Sequence, residues 1–539
     1  MSAAQQFDYV IVGAGSSGAV LANRLSEEPG VSVCLIEAGP RDRSPLIRVP
    51  LGVMLLAKDR RHNWLFSSSP QAGLGGRQVS IPRGKVLGGS SAINGMIYIR
   101  GHRADYDGWA ALGCEGWDYD SVLPYFKRSE ANTDPDKDDA VHGRDGPLSV
   151  TYVQTPSSVD RDFIEAAGQL QMRPCADFNT PEPEGVGIYQ VTQKGGKRHS
   201  TAEAFLKPIR ARQSLHIETG VEVLRVEIEE GRATAVLARR PDGTPVRIAA
   251  RAEVILSAGA IGSPDILLRS GIGPAGEIAG WGGTPVHDLP GVGRNLQDHV
   301  DCMVICRARS TAPYGLSLRA LPARALDALN WVTRNRGMFA SNMVEAGGFV
   351  RSSPAEDRPD IQFHIIPGLK SHRGRLVEWG HGVSLHTCVL RPDSRGSVTR
   401  TAPDGAPVID LGLLREDSDL ERLARGVSLA REILRQGPMA RHGLTEVVPG
   451  DAVNSGEGLR NYIRQQARTV YHPVGTCAMG VTGEAVVDPR LRVRGLRGLR
   501  VVDASVMPRI VSGNTNAPAI MVAEKAADMI RADRLHAAE

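Results

Sequence analysis

Aromatic residues make up only 5% of this 539-residue chain. That is little material for a ring-lined cage, the usual way to hold a quaternary ammonium group. Neither sign of charge dominates: 64 basic against 60 acidic residues leave a net charge of +4, and no basic tail points to nucleic acid. The seven cysteines (Cys34, Cys114, Cys175, Cys302, Cys306, Cys388 and Cys477) are odd in number, widely spaced and without a C-x-x-C, which argues against a disulfide framework or a zinc site. No apolar run is long enough to span a bilayer. The start, "MSAAQQFDYVIVGAG", lacks the basic-then-apolar order of a signal peptide, so a cytoplasmic location is expected; peripheral contact with the inner membrane stays open. There is no G-x-S-x-G for a serine hydrolase and no H-E-x-x-H for a zinc protease. His381 and His386 are five apart, the wrong spacing for a helical metal pair, and read as structural or surface groups.

What is present begins at once. Tyr9–Val12 is an apolar run of buried-strand length, and Gly13, Gly15 and Gly18 follow as G-x-G-x-x-G. Ala19, Leu21, Ala22 and Leu25 then keep helical spacing, and a second apolar run, Val31–Ile36, ends at Glu37. In this strand–turn–helix–strand setting the motif has a mechanism. Gly13 allows the tight turn, Gly15 lets backbone approach a pyrophosphate and Gly18 lets helix and strand pack closely. The helix N-terminus, with Ser16 and Ser17, offers free N–H groups to phosphate. Glu37 suits ribose hydroxyls and argues against a 2′-phosphate. FAD and NAD both satisfy this pattern.

Further along, Gly84, Gly88, Gly89 and Gly95 crowd into "IPRGKVLGGSSAINGMIYIR" and suit backbone wrapped against a ligand. "AEVILSAGAIGSPDILLRSGIG", from Ala252, reads as a buried strand, a small-residue turn and a helix from about Pro264 to Gly271. "LPGVGRNLQDH" follows, ending at His299. From Cys302 to Tyr462, alternating strand-like stretches are mixed with helical ones such as "SDLERLARGVSLAREILRQ". The polar stretch Ala131–Asp145 reads as a surface loop. The tail returns to the first style, a buried strand ending at Asp503 and a helix from about Ala517. The expected fold is α/β: a discontinuous Rossmann-like nucleotide domain (1–158, 195–305 and 465–539) and an inserted α+β substrate domain (159–194 and 306–464), built on an antiparallel sheet flanked by helices.

Together these stretches resemble the glucose–methanol–choline family of flavoprotein oxidoreductases. "GKVLGGSSAING" (84–95), "GAIGSPDILLRSGIG" (259–273), "TVYHPVGTCAMG" (469–480) and "VVDASVMP…SGNTNAPAIMVAEK" match its motifs in order over nearly the whole chain; "EAGGFVR" (345–351) is similar to the choline dehydrogenase branch. The resemblance implies FAD rather than NAD. It places the ADP moiety on Gly13–Gly18, Glu37 and Ala38, and the pyrophosphate and flavin along Gly88, Ser90, Asn94, Gly95, Met96 and Ile97. Val223 would meet the adenine, Trp64 would lie near the nucleotide, and Tyr471, Asp503, Ala504 and Ala517 would line the flavin and ribityl side. Val470 matches a valine beside the flavin's oxygen-reactive carbon. His472 matches the active-site histidine, and Asn516 is aligned with the second polar group that would hold an alkoxide. Ile93 stands where some choline oxidases carry a flavin-linking histidine, which implies non-covalent FAD. No metal is implied. The reaction implied is oxidation of a primary alcohol, choline being one candidate with Glu345 as its carboxylate; the acceptor is oxygen, a quinone or a dye. The alternative is a flavin-containing lyase of the hydroxynitrile lyase kind.

Overall fold

A computed structural model describes residues 5–370, 378–450, 452–453 and 456–538. Two sheets organise it. The first runs in the order Leu215–Thr219, Val33–Glu37, Gln5–Val12, Pro245–Leu256, with Leu499–Val501 pairing the far end of that last strand; all of these pairings are parallel. An antiparallel extension, Arg232–Arg239 and Glu222–Glu229, continues from the near half of Pro245–Leu256. The parallel strands read as continuous apolar runs because both faces are covered: Val10, Ile11, Val33, Leu35, Val254 and Ile255 are fully buried.

The crossover from the first strand is the helix Ser16–Leu25. Its entry needs two glycines. Gly13 has φ +96°, and a Cβ there would lie 2.6 Å from the Ser257 carbonyl oxygen; a Cβ on Gly18 would lie 1.9 Å from the Gly13 oxygen. The helix packs against the last helix, Asn516–Ala538, so the two ends of the chain close one domain.

The second sheet is antiparallel throughout its main path: Leu444–Val448, Val300–Ala308, Gly380–Val389, Ile361–Ile366, Ala346–Val350 and Gly185–Ile188. Helix Asp417–Arg435 packs on it, burying Leu420, Leu423, Val427 and Ile433. Arg468–Thr469 joins its edge beside Val300. The boundary expected at residue 305 therefore falls inside a strand, Val300–Ala308, that belongs wholly to the second sheet; its apolar run carries no mark of which sheet it enters. The helix expected from Pro264 begins earlier, at Gly259, and takes Pro264 into its second turn. The stretch expected as a surface loop is partly interior: Asn132 and His142 are buried, with His142 accompanying the buried pair Arg100–Glu130.

Candidate active site

One cavity of about 2120 Å³ runs between the two sheets. At one end it is made of backbone. Gly13, Gly15, Ser16 and Ser17 border it together with Gly89 and Ser90 of the glycine-rich stretch. The two loops touch: a Cβ on Gly89, which has φ +52°, would come within 2.6 Å of Gly15 Cα. The helix beginning at Ser16 has no side-chain cap, so its first-turn N–H groups open into the cavity as an anion cradle. Glu37 receives the Ala14 N–H (3.0 Å) on one carboxylate oxygen and the Gly39 N–H (2.8 Å) on the other, leaving lone pairs for ribose hydroxyls. Burial pushes its carboxyl up to about 7. Asp503 is held by Ser263 Oγ (2.5 Å) and the Gly259 N–H (2.8 Å). Phosphate cradle, ribose acceptor and close glycine contact together fit a dinucleotide. Ala38, Trp64, Asn94, Gly95, Met96, Ile97, Val223 and Ala504 also line this cavity. Gly18, Gly88 and Ala517 do not; Gly18 serves helix–strand packing, Gly88 donates its N–H to the Ala14 carbonyl (2.8 Å), and Ala517 is buried in the last helix.

Where the nucleotide end meets the rest of the cavity stands His472. Its loop is tied down from both sides. Asp298 accepts the His472 N–H (2.9 Å) and the Thr469 hydroxyl. Tyr471 is held at φ +73°, its N–H on Thr469 Oγ1 (2.6 Å) and its carbonyl taking a bond from Arg83 (2.7 Å). That left-handed conformation, worth on the order of 1 kcal/mol of strain in a non-glycine residue, turns the histidine toward the cavity.

The imidazole is then fixed by a chain of bonds. His299 Nε2 lies 3.0 Å from the Leu390 carbonyl oxygen, which can only accept, so the proton of His299 is on Nε2. Its bare Nδ1 faces His472 Nδ1 at 3.0 Å and must receive that nitrogen's proton. His472 is left with a bare Nε2, and Asn514 Nδ2 points at it from 3.1 Å. The Asn514 amide is itself oriented, because its oxygen accepts from Gln362 Nε2 (3.2 Å). Burial holds His299 down to about 4, keeping it neutral, and burial first, then the proximity of His299, His364 and Arg83, which disfavours a further positive charge, holds His472 well below the usual histidine value. The site thus presents a neutral base whose Nε2 lone pair meets the Asn514 amide donor at the cavity.

Two family models match this chain, both described as GMC oxidoreductase, over residues 7–301 and 392–523. The chain belongs to the GMC oxidoreductase family. An alcohol dehydrogenase [acceptor] of Pseudomonas putida is 45% identical over 97% of this chain and 95% of its own. An oxygen-dependent choline dehydrogenase of Rhizobium etli is 41% identical over 97% and 95%. Among solved structures, pyridoxine 4-oxidase from Mesorbium loti superposes with a TM-score of 0.88 at 32% identity, covering 98% of this chain and 99% of that one. FAD-dependent oxidation at a CH–OH carbon is the activity class that membership of the family carries, and the lyase alternative gains no support from these relatives.

Two expectations for this GMC oxidoreductase are corrected by its geometry. The partner of His472 is Asn514, not Asn516. Asn516 opens the last helix, and its side-chain oxygen accepts from Ser16 Oγ (2.7 Å) on the phosphate side. Glu345 is fully buried away from the cavity lining; it accepts the Ser157 N–H (2.6 Å) and presses against Asp160, whose carboxyl burial and the Glu345 charge push well above the carboxylate range. A carboxylate at a strand start was available for either role, and the fold uses it to tie that strand to a helix.

Beyond His472 the cavity wall is the face of the second sheet, and here the sequence reading missed the polar groups. Asp301, His386 and His364 stand on neighbouring strands. Asp301 Oδ2 binds His386 Nδ1 (2.8 Å), and His386 Nε2 meets Lys370 Nζ (3.1 Å). His386, expected as a structural or surface group, is therefore a cavity residue. Burial lowers Lys370 to about 8 and His364 to about 3. Arg468 lines the same wall, as does Glu378, which faces Arg307 at 3.9 Å. Met338, Met343, Val344, Ile366 and Leu369 supply the rest of that lining with apolar surface. Val470 is also on the wall, its N–H on the His299 carbonyl (3.1 Å).

Proposed function

We propose that this protein oxidises a primary alcohol to the aldehyde using non-covalently held FAD, with His472 as the base and Asn514 as the oxyanion donor. The bond chain from the Leu390 carbonyl through His299 to His472 is the observation that carries this reading. It leaves His472 neutral with its proton on Nδ1, so the basic atom is Nε2, the nitrogen that meets the Asn514 amide. FAD, when bound, accepts the hydride from the alcohol carbon. The hydroxyl proton passes to His472 Nε2, and the charge that moves onto Nδ1–H is shared with His299. The Asn514 amide, which lies 3.1 Å from that same Nε2, donates to the oxygen as it gains alkoxide character. Two electrons and one proton leave the carbon as hydride, one proton goes to imidazole, and the product is neutral aldehyde.

Non-covalent binding rests on Ile93, a side chain that cannot attach to a flavin; it is supported if acid-denatured protein releases all its colour. An uncharged, largely apolar alcohol suits the far wall better than choline. The carboxylates there, Asp301 and Glu378, already face His386 and Arg307, while Lys370 and Arg468 would repel a quaternary ammonium. All seven cysteines are free, which suits a cytoplasmic compartment. Among the described residues, no helix is long and apolar enough to cross a membrane.

Anaerobic titration with a graded series of primary alcohols and with choline, following flavin absorbance, tests the reading. Bleaching by medium-length alcohols and not by choline is expected. Flavin that no alcohol bleaches would overturn it. Readmitting air, or adding a soluble quinone, then identifies the acceptor by which of them restores the colour.

A further inference from the structure

The helix Leu321–Arg334 and the turn before it are built inside out. Leu318, Leu321, Leu329 and Val332 recur at helical spacing on one face, with Ala325 and Ala328 between them. On an ordinary surface helix that stripe would face the core. Here it faces out: Leu318, Leu321, Leu326, Leu329 and Val332 are between 52% and 80% exposed, and no residue of the helix is buried. Arg324 and Asp327 turn inward instead. Arg324 pairs with Asp327 (3.4 Å) and lies over the Tyr314 ring, and Asp327 accepts the Met338 N–H (3.3 Å). Nothing among the described residues covers the apolar stripe. An outward stripe of this size, on a helix that Arg324 and Asp327 fix to the protein, is an interaction surface.

We propose that this face docks on an anionic lipid bilayer, with the helix lying in the plane of the membrane surface. Three observations favour lipid over another protein. Arg319, Arg334 and Arg336 are exposed around the stripe, while the single acid between residues 310 and 340, Asp327, is already paired with Arg324. Aliphatic stripe with arginine flanks matches acyl chains below and anionic headgroups around. Trp379, 61% exposed, bridges to Leu316 and adds an aromatic side chain of the kind that settles at headgroup depth. The face also adjoins the cavity. Tyr314, Gly315 and Leu316, just before the helix, and Met338, just after it, line the cavity wall. A second copy of this chain fits poorly, because a two-fold contact on the stripe would bring the same arginines together.

The docking does not depend on the alcohol chemistry. If the proposed function holds, it gains a consequence: an alcohol dissolved in the bilayer reaches the cavity without crossing water.

Flotation of the full-length, FAD-loaded protein with vesicles tests the surface directly. The protein should float with phosphatidylcholine vesicles containing phosphatidylglycerol, less with phosphatidylcholine alone, and less at high salt. The double substitution Leu329→Glu with Val332→Glu should lower partitioning about tenfold or more. Both side chains are exposed, so the melting temperature and turnover of a water-soluble alcohol should stay as they are. Wild-type protein that floats with neither vesicle overturns the proposal, as does a double variant that floats as well as the wild type. Light scattering that detects a wild-type dimer, dissolved by the double substitution, with neither protein floating, would assign the face to a second copy instead.

Discussion

The two ends of the cavity are built from different material. The nucleotide end is backbone: glycines in contact, open N–H groups at a helix start and one carboxylate at a strand end. The substrate end is side chains: Asp301, His364, His386, Lys370 and Arg468, from four strands and a loop of the second sheet. A backbone site needs glycine at fixed short spacings and so writes itself into one continuous stretch of sequence. A side-chain site is assembled by strand pairing between distant residues, such as Asp301 with His386, and leaves no local trace. His472 stands between the two ends and depends on both.

The sharpest way to separate the ends is to disable the junction. His472→Ala should keep its FAD and lose about a hundred- to ten-thousandfold in the rate of flavin reduction by alcohol. Stopped-flow reduction beside the bound-flavin spectrum checks this, and a normal rate would remove His472 from the chemistry. A smaller effect is expected one bond away. His299→Leu leaves the His472 Nδ1 proton without an acceptor and frees the wrong tautomer; reduction should slow about tenfold with little change in KM. His299→Asn, which can accept that proton through its amide oxygen, should recover part of the loss. A purely structural role would show no such rescue.

At the nucleotide end, Glu37→Gln should weaken FAD binding about tenfold, because its NH2 replaces an oxygen that accepts a backbone N–H and can accept from ribose, and leave the reduction rate of the loaded enzyme alone. Equilibrium dialysis against FAD measures it. The pH profile probes the junction without mutation. His472 is held well below the ordinary histidine value, so its base form persists as acid is added. Reduction should therefore stay flat as the pH falls through the ordinary histidine range and drop only well below it. A midpoint near the ordinary histidine pKa would mean that burial does not act on the base as described. The smallest effect is expected on the far wall. Lys370→Met should change KM for an uncharged alcohol by no more than about threefold; choline oxidation in that variant would mark the lysine as the group that excludes it.

The same division explains what the sequence could tell. The strand–turn–helix around Gly13 and the carboxylate Glu37 were legible from neighbours close in sequence, whereas His472 stood out only through the family resemblance, because Asp298, His299 and Arg83, which hold its loop, are distant in the chain. Asn514 was not legible: the segment reads Asn-Thr-Asn, and only the point where the last helix begins decides which asparagine faces the histidine. "LPGVGRNLQDH" stood out as a pattern, yet the role of its last two residues, Asp298 and His299, requires the loop at His472 to be packed against them. Glu345 was misplaced because burial, not composition, decides whether a carboxylate meets ligand or protein.

The closing of the chain on itself has a consequence for how the protein is made. Ser16 is bonded to Asn516, Ser17 Oγ to the Ala519 carbonyl (2.8 Å), and Arg24 to Glu524 (2.8 Å), contacts about five hundred residues apart in sequence. The phosphate cradle is made about five hundred residues before the helix that completes it. Until Asn516–Ala538 has been made, Ser16, Ser17 and Arg24 lack these partners, so the cradle is held in its final form only late in synthesis.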